Sequence, residues 1–140
     1  MILSVIRKIS LCALLIAFCY VPTSFGQALT HDGFVTTVPQ GSTFLLLGQS
    51  MALTATQVGC SGSDAGRATM NFYASPTPNT QGTFIGSYPM NTIGFVWFPP
   101  AVGDYYVSSY LMLNGATSCT GVELTGPFTG GTVRVEPNNS

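Results

Sequence analysis

The chain holds one histidine, His31, so any Ser-His-Asp, Cys-His or histidine-metal arrangement has to be built around it. His31 stands in a polar lead, Gln27 to Asp32, where a flexible segment is a poor holder for a general base that must come within about 3 Å of the proton it takes. The acids are Asp32, Asp64, Asp104, Glu123 and Glu136. A glycosidase needs two carboxylates flanking one bond, and the only pair worth testing, Asp64 and Asp104, falls in turns expected at opposite ends of the fold. Asp64 with the carbonyls of Ser61 and Ser63 offers calcium one carboxylate where it wants about six to eight oxygens. No glycine-rich loop leads into a helix with a lysine, so a phosphate cradle is lacking. The expectation is a non-enzyme with no metal and no cofactor.

The cysteines divide by position. Met1 to Gly26 has the parts of a secretory signal: Arg7 and Lys8, an apolar run from Leu11 to Phe18, then Pro22 and the small residues Ser24 and Gly26. Residues 1–26 are therefore read as a signal peptide, and the run is short of the roughly 20 apolar residues of a spanning helix. No membrane insertion is expected after cleavage. Cys12 and Cys19 leave with the signal, and Cys60 and Cys119 remain in an oxidising compartment with one pairing open to them. A disulfide across a loop of that length is worth about 3 to 5 kcal/mol in the chain-entropy model.

Beyond the signal the only basic side chains besides His31 are Arg67 and Arg134. Two separated arginines cannot neutralise a run of phosphates, which excludes nucleic acid, and an anionic membrane surface fails by the same argument. A surface of Thr, Ser, Asn, Gln and Gly suits an exported protein or a glycan as partner. The aromatic residues gather in three segments, and most belong in a core. Tyr73, Tyr106 and Tyr110 have the opposite parity to the apolar residues of their strands, so they are the candidates for ligand contact.

The elements that position these residues read as strands throughout. Phe34 to Val38 is β-branched and aromatic up to Pro39, and Ser42 to Leu47 continues extended. In Met51 to Val58 the residues Met51, Leu53, Ala55 and Val58 alternate with Thr54 and Thr56, the period of two of a half-buried strand. Cys60 to Gly66 reads as a loop. Ala68 to Ala74 puts Met70 and Phe72 on one face, Thr83 to Tyr88 is a short edge strand, and Asn91 to Phe98 points Ile93, Phe95 and Trp97 one way and Val96 and Phe98 the other, with both faces covered. Asp104 to Leu113 is a long strand with Tyr105, Val107 and Ser109 on one face. A Gly/Thr loop carries Cys119, and Thr132 to Glu136 closes the chain with its valines inward. No helical period appears, and turn signals recur about every 8 to 12 residues, the spacing of an all-β sandwich. Residues 27–140 make one domain of about 110 residues, enough for one core.

The order of these segments resembles the bacterial immunoglobulin-like repeat domains of surface proteins and adhesins. The residues that carry the resemblance are Gly48-Gln49-Ser50 leading into Leu53-Thr54-Ala55, Ala68-Thr69-Met70-Asn71-Phe72-Tyr73, and Phe98-Pro99-Pro100-Ala101-Val102-Gly103-Asp104-Tyr105-Tyr106-Val107. They correspond to that family's second strand, third strand, and the turn into its penultimate strand, about half of the domain. The resemblance implies an immunoglobulin-like antiparallel β-sandwich of about seven strands. Gly103-x-Tyr105-x-Val107 has the form of a tyrosine corner, in which the phenol bonds back to the preceding turn. With that assignment Cys60 and Cys119 lie in loops at the same end. The expected function is an exported structural or interaction module, secreted, periplasmic or on the cell surface, with roles such as adhesion. A carbohydrate-binding module using exposed aromatics and a fimbrial subunit completed by a neighbour's strand are the alternatives. Oligomeric state is left open.

Overall fold

The computed structural model describes residues 26–128 and 130–140, so the proposed signal peptide lies outside the described residues apart from Gly26. The fold is all-β in kind. Among the described residues helix is confined to one turn, α1 (Asp64–Arg67), and the strands are β1 (Gly33–Val35), β2 (Thr37–Val38), β3 (Ser42–Leu46), β4 (Met51–Ala55), β5 (Val58–Gly59), β6 (Thr69–Ser75), β7 (Thr83–Pro89), β8 (Phe95–Trp97), β9 (Gly103–Met112), β10 (Thr120–Gly121), β11 (Glu123–Leu124) and β12 (Thr132–Glu136).

The long strand β9 organises the larger sheet. One of its edges pairs with β6 along the whole of β6, from Thr69↔Met112 to Ser75↔Tyr106. Its other edge is shared: β12 takes the first half, from Tyr106 to Gly103, and β1 the second, from Leu111 to Ser109. Outside these lie β7 on β6, β3 on β12 and β11 on β1. The smaller sheet is β2-β4-β8. A two-stranded ribbon, β5 with β10, forms a third unit.

Inward residues of both sheets share one core. Leu53 and Trp97 come from the smaller sheet, and Met70, Phe72, Val107, Leu111, Val133 and Val135 from the larger. Each fully buried large side chain, such as Leu53, Phe72 or Met70, contributes about 1.5 to 3 kcal/mol relative to leaving it exposed. Aromatic contacts cross between the sheets, with Phe72 on Phe95 at 6.1 Å and Trp97 edge-on to Tyr105 at 5.3 Å. Gly86 makes the first of these possible: a Cβ there would overlap the Phe95 ring.

Four expectations are corrected. The segment Phe34 to Val38 is two strands, because β1 pairs with β9 in one sheet and β2 with β4 in the other, and the change of sheet occurs at Thr36. The sheet is not wholly antiparallel, since β3 runs parallel to β12. Cys60 to Gly66 contains most of α1. The stretch from Asn91 to Phe98 is strand only over β8, where Gly94 packs against the carbonyl of Leu53. Ile93 is then 98 % exposed, Val96 57 % and Phe98 63 %, so neither Ile93 nor the outer face of β8 is covered.

Candidate functional site

The three tyrosines singled out by parity share one face of the larger sheet. Tyr106 and Tyr110 are four residues apart on β9, about 13 Å along the strand, and Tyr73 on β6 lies directly across from Ser108, midway between them. Direct cross-strand partners share a face, so the register extends the patch: Asn71 lies opposite Tyr110, Phe34 on the other side of Tyr110, Phe84 opposite Tyr73 and Thr132 opposite Tyr106. Each tyrosine ring is braced edge-on by a phenylalanine. Phe34 stands 4.9 Å from Tyr110, Phe84 5.8 Å from Tyr73, and Phe128 5.3 Å from Tyr106. All three tyrosines are half-buried.

Ser108 lies at the centre of this group. It is 1 % exposed, and its Oγ has no hydrogen-bond partner among the described residues. A small residue between three tyrosines lets the larger rings close over the sheet, which gives a nearly continuous aromatic and hydroxyl-bearing surface. Sequence parity found the tyrosines; it gave no sign of Phe128, which is brought onto Tyr106 by the chain between β11 and β12. Nor did it point to Phe34 and Phe84, which are adjacent only through strand register. Asp104, two residues before Tyr106, pairs with Arg134 at 3.0 Å.

The disulfide joins Cys60 to Cys119. It ties the end of β5 to the start of β10, and the loops on either side are joined by polar contacts as well. The Oγ of Ser118 donates to the Ser61 carbonyl at 2.8 Å, and the Asp64 carboxylate accepts the N–H groups of Thr117 and Ser118 at 2.8 and 2.9 Å. Those N–H bonds, first Thr117 and then Ser118, hold the Asp64 carboxyl below its ordinary range against the opposing effect of burial, with Arg67 adding a smaller charge effect. The Asp64 Oδ2 lone pairs are thus used in joining loops. Asp104 stands at the other end of β9, a strand of roughly 30 Å, so the two carboxylates are not brought together.

His31 is not in a free lead. Ala28 bridges to Thr120, the N–H of Leu29 donates to the Cys119 carbonyl at 2.9 Å, and Leu29 is 7 % exposed. The reason is that the β10 backbone offers a second pairing edge, and Leu29 fills an apolar site beside Cys119. The His31 imidazole contacts two acceptors, the Asp32 carbonyl at Nδ1 and the Glu123 carboxylate at Nε2. Satisfying both requires an N–H on each nitrogen, so the protonated ring is favoured and its pKa is raised, chiefly by the Asp32 carbonyl and next by Glu123. No hydroxyl or thiol is bonded to His31 among the described residues, and the contact acts as a tether for the N-terminal segment. Among the described residues no three His, Cys, Asp or Glu side chains are grouped as a metal would need.

The chain matches no family model, no curated protein and no solved structure. Its functional reading therefore rests on the surface just described.

Proposed function

We propose that this chain is an exported, non-catalytic recognition module, an immunoglobulin-like β-sandwich that contacts another exported protein or a cell-surface partner through the tyrosine face of its larger sheet. The observation that carries this is the placement of Tyr73, Tyr106 and Tyr110 around Ser108 on one half-exposed face, each ring held by a phenylalanine. Tyrosine suits such a role because a large amphipathic ring with two side-chain torsions makes contact area at small entropic cost. Pre-braced rings reduce that cost further.

Support for the immunoglobulin-like class comes from chain order. In the sheet order β2-β4-β8 against β7-β6-β9-β12-β3 the chain passes from β2 in the smaller sheet to β3 in the larger, where β3 runs parallel to the last strand, β12, as in that class. The phenol of Tyr105 also donates to the Ala101 carbonyl at 2.9 Å, the bond of a tyrosine corner. Export is supported by the disulfide and by the signal-like first 26 residues.

One observation favours a glycan as the partner: Asn71 lies beside Tyr110 on the same face, so an amide and an aromatic ring adjoin with no unpaired charge between them. The fimbrial reading has less support, because β12 already occupies the place between β9 and β3 that a donated strand would fill.

The test uses the secreted chain recovered after export, immobilised and exposed to envelope proteins and glycans. Tyr106→Ala or Tyr110→Ala is expected to lower affinity for the retained species about 30-fold or more, the effect of truncating a central interface residue worth about 2 kcal/mol. Ala52→Ser, on the other sheet, is expected to leave it unchanged. Equal retention by wild type and both folded tyrosine variants would remove the reading, and the chemistry of the eluted species decides between protein and glycan.

A further inference from the structure

The segment before β1 has a firm base and a lightly held length. The base is Asp32, whose Oδ1 accepts the N–H of Leu113 at 2.8 Å and which leads directly into β1. Residues 27–31 lie upstream of it. They meet β10 through one bridge, Ala28↔Thr120, in which the N–H of Leu29 donates to the Cys119 carbonyl at 2.9 Å and the N–H of Gly121 to the Gln27 carbonyl at 3.1 Å. Leu29 is buried, while Gln27, Ala28, Thr30 and His31 are exposed. One bridge and one leucine do little to offset the entropy of ordering five residues, so the contact made by His31 matters to whether the segment stays down.

That contact is made with a shielded carboxylate. Gly33 has no side chain, and the Glu123 carboxyl lies so close against it that a Cβ there would stand 3.0 Å from Cδ. The Glu123 side chain is 20 % exposed. Its Oε1 is buried with no hydrogen-bond partner among the described residues, and its Oε2 meets the His31 Nε2 at 3.1 Å. A carboxylate with one oxygen unserved depends on its charge partner more than a fully hydrated one does. On the other side of the ring Nδ1 faces the Asp32 carbonyl at 3.0 Å. The imidazolium donates to both oxygens. A neutral ring has one N–H, so one of the two contacts becomes a meeting of lone pairs.

We propose that residues 27–31 are a pH-operated strap, closed on β10 while His31 carries its proton and released when that proton is lost. The charged groups that face the imidazole are Glu123 on β11 and Asp32 in its own segment. The loop after β9 that flanks it, Leu113 to Thr117, has no titratable side chain. Asp64 reaches that loop at Thr117 and Ser118, and its carboxyl is held below its ordinary range, so its charge is constant where histidine titrates. The His31 pKa is raised, first by the Asp32 carbonyl and then by Glu123. A raised pKa means that the stabilisation is fully present below the ordinary histidine value and is lost as pH rises through the raised one. The strap therefore opens toward the alkaline side of that interval. Opening frees the Cys119 carbonyl and the Gly121 N–H and withdraws Leu29 from its seat. It stops at Asp32, because Phe34 and Val35 are paired on both sides.

The test is amide exchange and histidine titration by nuclear magnetic resonance on the secreted chain, from about pH 5 to 8. Protection of the Leu29 and Gly121 amides, each taken relative to the intrinsic rate at the same pH, is expected to fall about five- to tenfold as His31 loses its proton, the effect of one charge-assisted hydrogen bond. Amides of β6 are expected to keep theirs. The midpoint should coincide with that of the His31 ring proton and lie above the ordinary histidine value. His31→Gln, at an exposed position, is expected to show the lower protection at every pH. Glu123→Gln is expected to lower the His31 midpoint. Wild-type protection that does not change with pH, a folded His31→Gln that keeps the wild-type profile, or a His31 midpoint unmoved by Glu123→Gln would each overturn the proposal.

Discussion

The two ends of β9 hold their neighbouring loops by different means. Beyond Met112, the loop after β9 is bound to the loop after β5 by a disulfide, by the Ser61 and Ser118 contacts and by a carboxylate, Asp64, whose side chain is 13 % exposed. At the start of β9 the turn is held by the Tyr105 phenol on the Ala101 carbonyl, and Asp104 meets Arg134 in an ion pair whose side chains are 42 and 61 % exposed. The first end uses a covalent bond and a shielded charge, the second a single neutral hydrogen bond and a charge pair screened by water, worth at most about 1 kcal/mol. The difference follows from what each end has to restrain. The disulfide end gathers separate pieces of chain, the N-terminal segment, β5, α1 and β10. The other end is one short turn whose Tyr105 ring already packs on Trp97.

If that contrast is right, the largest loss follows from opening the disulfide. Cys60→Ser is expected to lower the free energy of unfolding by about 2 to 5 kcal/mol, read from urea denaturation, and hydrogen exchange should accelerate first in β5, β10 and residues 27–30. A loss no greater than that of the tyrosine-corner variant would break the comparison.

Asp64→Asn comes next, and its effect carries a pH signature. Because the folded carboxyl titrates below its ordinary range, the stability it supplies is fully present above the unfolded-state pKa and is lost as pH falls through the folded one. Thermal melts of wild type and Asp64→Asn should therefore differ at neutral pH and converge in acid. A difference that stays constant down through the carboxylate range would mean that the Thr117 and Ser118 bonds do not depend on the charge.

The smallest effect is expected from Tyr105→Phe, which keeps the ring on Trp97 and deletes one hydroxyl bond, at a cost of about 1 kcal/mol. A cost several times larger, measured by the same denaturation, would show that the start of β9 is held as firmly as its other end.

Much of this was legible along the chain because alternation is a local property. The inward sets Met70 and Phe72, Val107 and Ser109, and Val133 and Val135 follow from a period of two, and the same rule placed Tyr73, Tyr106 and Tyr110 on the opposite face. The edge position expected for Thr83 to Tyr88 agrees with β7, which pairs with β6 alone. Ile93 was misread because alternation was carried past Gly94, where the chain leaves the sheet and the period no longer applies. The lead from Gln27 to Asp32 reads as free because its polar composition hides one apolar anchor, Leu29, and because Thr120, which Ala28 bridges, is 92 residues further along the chain.

Sequence by itself determined the strand character of the chain, the inward and outward sets of its longer strands, and the pair of cysteines left to bond once the signal-like segment is set aside. These depend on residue type and on neighbours within a few positions. Tertiary structure decided which strands adjoin, and so brought Phe128 onto Tyr106, spent Asp64 on the loop beyond β9, seated His31 between Asp32 and Glu123, and left Ile93 98 % exposed. Those outcomes rest on register and on contacts between distant segments, and a one-residue slip or a change of partner strand would alter each of them while leaving every local pattern intact.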